Sequence, residues 1–129
     1  MVSNGLNQYM RSKIMTASKA ELTLMLYDGA IKFCNMAIMC IDKKDIPGAN
    51  TNIKKTEAII EEFIATLNHK YAVADDFENV YKYMYNRLVE ANLKKDTAIL
   101  NEVLGYLRDM RDTWKEVMRT ANDQKSEVS

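Results

Sequence analysis

The chain has 129 residues, 47% of them hydrophobic, which suits one compact domain with a core of its own. Lys plus Arg and Asp plus Glu each total 18, so no long-range positive field gathers phosphates, and a nucleic-acid partner is not expected. One proline and four glycines are too few breakers for a many-stranded sheet, and the apolar spacing is helical wherever it can be counted, which predicts an all-α chain.

The first segment, Leu6 to Met15, carries Leu6, Tyr9, Met10 and Ile14 at near-helical spacing. It is too short to hold a helix alone, so residues 1–15 are expected to form a short N-terminal helical flap, with Tyr9 and Ile14 on it, docked against the rest. MVSNGLNQYMRSK has no apolar stretch of the kind that heads an export signal. No run comes near the ~18 apolar residues of a membrane span, so the expectation is a soluble, cytoplasmic protein without membrane insertion.

The next segment, ELTLMLYDGAIKFCNMAIMC (Glu21 to Cys40), is interrupted only by Glu21, Thr23, Asp28, Lys32 and Asn35. It predicts a helix over about 19–42 with Ser18 as its N-cap. Cys34 and Cys40 share that helix about 120° apart around its axis, too far to bridge within the chain, and a reducing compartment fits them. Ile46, Ala49, Ile53, Ile60, Phe63 and Leu67 form the stripe of a second helix, about 46–68, whose first turn tolerates Pro47. Phe77, Tyr81, Met84, Leu88 and Ala91 place a third over about 75–94, with Asp75 and Asp76 complementing the positive end of its dipole. Leu100, Val103, Leu107, Met110, Trp114, Val117 and Ala121 place a fourth over about 97–121, capped by Asp96. The residues from Asn122 to Ser129 read as a polar, frayed tail. Connections this short force antiparallel neighbours, so the expected fold is a single all-α domain, an antiparallel four-helix bundle with the flap at its start.

Chemistry-bearing constellations are few. The one histidine, His69, follows Thr66 by three, so the Glu-x-x-His pairs of a di-iron bundle are absent. Neither cysteine has a polar context for nucleophilic catalysis, and there is no glycine-rich phosphate loop, Cys-x-x-Cys or EF-hand spacing. No enzymatic activity, cofactor or metal site is expected. Lys43-Lys44, Lys54-Lys55 and Lys94-Lys95 read as solvated helix surface or helix ends, and Glu57, Glu61 and Glu62 as a solvated face.

The first long helix has more apolar surface than one core uses. On a wheel with Leu22 at zero, Leu22, Leu26, Gly29, Phe33, Met36 and Cys40 fall within about 40° of it. Leu24, Tyr27, Ile31, Cys34, Ile38 and Ile41 fall between about 100° and 200°, with Ala30 and Ala37 in the gap. A bundle helix needs an apolar stripe of somewhat over 100°; this one spans roughly 260° on the same construction. One reading is a central helix flanked on both sides and covered by the flap. The other is a groove for a partner helix. Methionines suit an adaptable surface, so the Met25, Gly29, Phe33, Met36 and Cys40 side is the expected partner-binding groove and the isoleucine-rich seam the fixed core. Tyr83, near Arg87 on the polar side of its helix, is a second candidate contact.

TASKAELTLMLYDGAIKF (Thr16 to Phe33), VYKYMYNRLVEANLKKD (Val80 to Asp96) and GYLRDMRDTWKEV (Gly105 to Val117) together resemble the FliS family of flagellar secretion chaperones. The resemblance runs in order over nearly the whole chain. It falls on Tyr9, Ile14, Thr16, Ala17 and Ser18, then on Leu22 and Leu24 to Gly29, then on Tyr83, Met84, Tyr85, Arg87 and Leu88. It implies a cytoplasmic chaperone that holds the C-terminal segment of flagellin, prevents premature polymerisation and delivers it to the flagellar type III export gate. It also implies a helical bundle whose N-terminal segment covers part of the binding surface. Two departures stand out: Lys19 replaces the proline usual after TAS, and NHKYAVADD lacks the glycines often found before the YKYMY-like segment. A structural reading of a different class is a homodimer built through the surplus apolar face.

Overall fold

A computed structural model describes the backbone of residues 18–128 and the side chains of residues 18–120. Tyr9 and Ile14, and with them the expected flap, lie outside the described residues. Four helices follow one another: α1 (Lys19–Asp42), α2 (Ile46–Thr66), α3 (Ala74–Lys94) and α4 (Thr97–Val128), with no strand among the described residues.

The helix starts follow local chemistry. Ser18 is extended at φ −68°, ψ 164°, and its hydroxyl accepts from the Glu21 N–H, so α1 begins on a capped N-terminus without the proline. Asp45 caps α2, accepting from the Gly48 N–H at 3.0 Å, and Pro47 sits in the first turn. Asp96 accepts from the Ala98 N–H at 2.9 Å at the start of α4. Asp75 and Asp76 occupy the first turn of α3, which has no side-chain cap. Both tight connections at one end of the bundle place a lysine at positive φ, Lys44 at 63° and Lys95 at 50°. Lys95 is held there by its ammonium, which donates to the carbonyl and side-chain oxygens of Asn92.

Two boundaries differ from expectation. α2 stops at Thr66 because Leu67 turns extended, at φ −65° and ψ 130°. α4 does not fray at Asn122 but continues to Val128. Residues 122–128 contain neither proline nor glycine, and polarity alone does not interrupt the backbone ladder. At 32 residues against the 24 of α1, α4 is longer by about 12 Å.

The helices form a ring in which α1 packs on α2 and α4, and α3 packs on the same two. α1 and α3 are therefore diagonal, in up-down-up-down order. One core fills the centre, with Ile53, Ile60, Met84, Leu88, Leu100, Val103 and Leu107 fully buried. Each such side chain contributes about 1.5–3 kcal/mol of transfer free energy. Ala30, Ala37, Ala49 and Ala91 have no exposure, and their small side chains let the helices approach closely. The expected stripes run past this core: Ile46, Phe77 and Val117 are exposed.

α1 is long and apolar enough, by length and composition, to cross a membrane. That corrects the expectation that no run comes near this requirement: the polar residues break the run but are too few to lower its average. In the bundle its interior face, Tyr27, Ala30, Ile31, Cys34 and Ala37, is buried against its neighbours.

Candidate partner-binding surface

The two seams of α1 have different surroundings. Tyr27, Ile31 and Cys34 are buried, with Ile38 and Ile41 packed on the core. The isoleucine-rich seam is thus the fixed one. Cys34 donates its S–H to the Leu100 carbonyl at 3.4 Å. Burial pushes its thiol up to about 12, against the opposing charge of Arg108, so it carries no thiolate at neutral pH.

The other seam runs along the outer junction of α1 with α2. A Cβ on Gly29 would stand 3.5 Å from Ile59 Cδ1, so the glycine marks where the helices come together. The Phe33 ring is half-buried, with Lys55 Nζ of α2 at 5.2 Å and Lys32 Nζ at 6.0 Å from its centre. Cys40 lies farther along, its Sγ 3.9 Å from Asn52 Nδ2 and close to Gly48. Met25 is half-buried, while Met36 is 40% and Met39 53% exposed. Gly29, Phe33 and Cys40, all half-buried, line one strip along this junction, with Met25 half-buried and Met36 exposed on the same seam.

Tyr83 does not join this strip. It is 44% exposed on the α3–α4 junction, on the opposite side of the ring. Its hydroxyl donates to Glu102 Oε2 at 2.9 Å, and its ring meets Tyr106 edge-on at 5.9 Å. Arg87 donates to Glu102 through Nε at 2.7 Å and to Glu90 through Nη1 at 2.6 Å, and Lys94 donates to Glu90 at 2.8 Å. The bonds from Arg87 and then Tyr83 hold the Glu102 carboxyl below its ordinary range, and the acceptor carboxylate raises the Tyr83 phenol. The phenol is fixed in a surface ladder rather than held open as a lone contact.

Several contributors gave no signal in the chain alone. Lys55, Ile59 and Asn52 complete the strip from α2, and which face of α2 looks toward α1 depends on the order of helices in the ring. His69 also finds partners across its loop: Nδ1 is 3.5 Å from Asp75 Oδ1 and Nε2 is 3.8 Å from Glu78 Oε2. The ligand-capable atoms of these three lie within 4.8 Å of one another. The two ring nitrogens face different carboxylates across this turn, in which His69 and Asp75 are exposed.

The flagellar protein FliS family model matches residues 2–121. The chain belongs to the FliS family. The flagellar secretion chaperone FliS of Bacillus subtilis is 40% identical over 119 residues, which are 92% of this chain and 90% of that one. Its Salmonella typhimurium counterpart is 30% identical over 118 residues, 89% of this chain and 87% of that one. A crystal structure of a flagellar chaperone from bacteria superimposes with a TM-score of 0.75 at 16% identity, covering 93% of this chain and 99% of that one. That likeness is one of fold. The family match runs through α1, α2 and α3 and into α4.

Proposed function

We propose that this chain is a flagellar export chaperone that binds the C-terminal segment of flagellin in the cytoplasm, prevents its premature polymerisation and hands it to the flagellar type III export gate. The observation that carries the reading is the strip of Met25, Gly29, Phe33, Met36 and Cys40 on α1, half-buried except for the exposed Met36 among the described residues, in a chain whose relatives are named flagellar secretion chaperones. A segment that cannot bury its apolar face alone gains by laying that face, as a helix, on such a strip. Covering about 800 Å2 of apolar surface is worth on the order of 20 kcal/mol gross, most of it offset by ordering the ligand. The role is one of binding, with no bond made or broken. Tyr83, on the far junction, is the second candidate contact.

Calorimetry of this chain against full-length and C-terminally truncated flagellin tests the reading. Tight binding to the first and none to the second is the expected result; equal affinity for both overturns it. Light scattering in the same samples separates the homodimer reading, which requires a dimer that flagellin does not dissociate.

A further inference from the structure

Phe33 is flanked by two ammonium groups, Lys32 from its own helix and Lys55 from α2. Both lysines are exposed, and neither takes part in an ion pair among the described residues. The reason is local. Lys32 has one acid at helical-neighbour spacing, Asp28, and that carboxylate faces Arg111 of α4 at 3.8 Å. Around Lys55 the residues three and four away are Thr51, Asn52, Ala58 and Ile59, none of them acidic. Two like charges thus converge over one aromatic ring in the middle of the strip, with no counter-ion among the described residues.

An arrangement of this kind repels a purely basic ligand and leaves a purely apolar one to cover two charges without recompense. It suits a ligand that brings a carboxylate to the same spot, where the anion meets both ammonium groups while its flanking residues stay on apolar surface. Gly29 lies four residues before Phe33 and Met36 three after it, so the apolar footing extends about one turn to either side.

We infer that Lys32 and Lys55 form an anion-reading position within the strip, and that the helix bound there is amphipathic with one carboxylate set between apolar residues a turn away on each side. This rests on the proposed reading of flagellin's C-terminal segment as the ligand and adds what that segment must carry. Register follows as well, because a single charged position on an otherwise uniform apolar face discriminates among slipped alignments.

The test uses the full chain and flagellin's C-terminal segment, titrated calorimetrically in about 0.05 M and about 0.5 M salt. The double variant K32E/K55E should bind about tenfold or more weakly at low salt, with the gap narrowing at high salt. Replacing the responsible carboxylate of the segment by lysine should weaken binding to the unaltered chain and restore it to K32E/K55E. Circular dichroism confirms that the variant is folded, as expected for two exposed positions. If the unaltered chain binds the segment and K32E/K55E binds equally well, or no carboxylate replacement rescues the variant, the anion-reading position is wrong while the chaperone reading stands. If the unaltered chain does not bind the segment, both fall.

Discussion

The hydroxyls of Tyr27 and Tyr81 lie 2.6 Å apart and join α1 to α3 across the diagonal of the bundle. Phe63 of α2 spans the same gap, with ring centres 4.4 Å from Tyr27 and 5.3 Å from Tyr81. Burial first, and the neighbouring phenol second, hold the Tyr27 hydroxyl far above its ordinary range, so the pair is neutral and one hydroxyl donates to the other. Tyr81→Phe leaves the Tyr27 hydroxyl buried without that partner and should cost about 1–3 kcal/mol in urea denaturation. The double variant Y27F/Y81F should cost less than the two single changes added together, with a coupling of at least 0.5 kcal/mol. Additive losses would mean that the bond contributes nothing of its own.

The glycines divide by their surroundings. A Cβ on Gly48 would stand 2.9 Å from Cys40 Sγ and 2.8 Å from Asp45 Cγ, against the residue that caps α2. Gly48→Ala should therefore destabilise by about 1–2 kcal/mol through the lost cap and displaced thiol. Gly105 faces open space in the middle of α4, so Gly105→Ala should stabilise by up to ~1 kcal/mol as the unfolded chain loses freedom. Opposite signs in thermal unfolding are the expected result, and a stabilised G48A would refute the crowding argument.

The contrast between these glycines shows what could be read from the chain and what could not. Ser18, Asp96 and Pro47 announce helix starts because a cap needs only residues within one turn of it. The buried isoleucine seam of α1 is equally local, since periodicity alone assigns residues to a face. Pairings set by the ring are different in kind: Tyr27 and Tyr81 stand 54 residues apart, and no spacing rule connects them. For the same reason Gly29, Phe33 and Cys40 could be placed on one face of α1, while Lys55, Ile59 and Asn52, their neighbours from α2, could not. Tyr83 is exposed, as its place on the polar side of its helix suggests, but the ladder that holds it depends on Glu102 arriving from α4. The continuation of α4 had a local cause, the absence of a breaker after Asn122, which the polarity of the segment concealed.

The α3–α4 ladder sets a pH dependence. Arg87 and Tyr83 lower the Glu102 carboxyl, and Lys94 first, then Arg87, lower that of Glu90. Folded values below the unfolded ones mean that these carboxylates stabilise the fold above the ordinary carboxylate range, ~4.3, and lose that contribution as pH falls through their lowered values. Urea midpoints of the unaltered chain should therefore fall more steeply between about pH 5 and about pH 3 than those of Glu102→Gln, which has no proton to gain there. Parallel curves would show that the ladder is too well solvated to matter.

The two thiols separate core from strip in one experiment. Cys34 is fully buried and bonded to the Leu100 carbonyl, with its thiol pushed up to about 12 by burial. Cys40, by contrast, lies half-buried at the α1–α2 junction. An alkylating probe at neutral pH should modify Cys40 in the folded chain and reach Cys34 only at the rate of global unfolding. Mass spectrometry of the two peptides distinguishes them. Adding flagellin's C-terminal segment should slow the labelling of Cys40 severalfold if its side chain lies under the ligand, and leave Cys34 as slow as before. Labelling of Cys40 at an unchanged rate, in a sample where calorimetry shows the segment bound, would remove this residue from the binding strip and shift the contact toward Met25 and Met36.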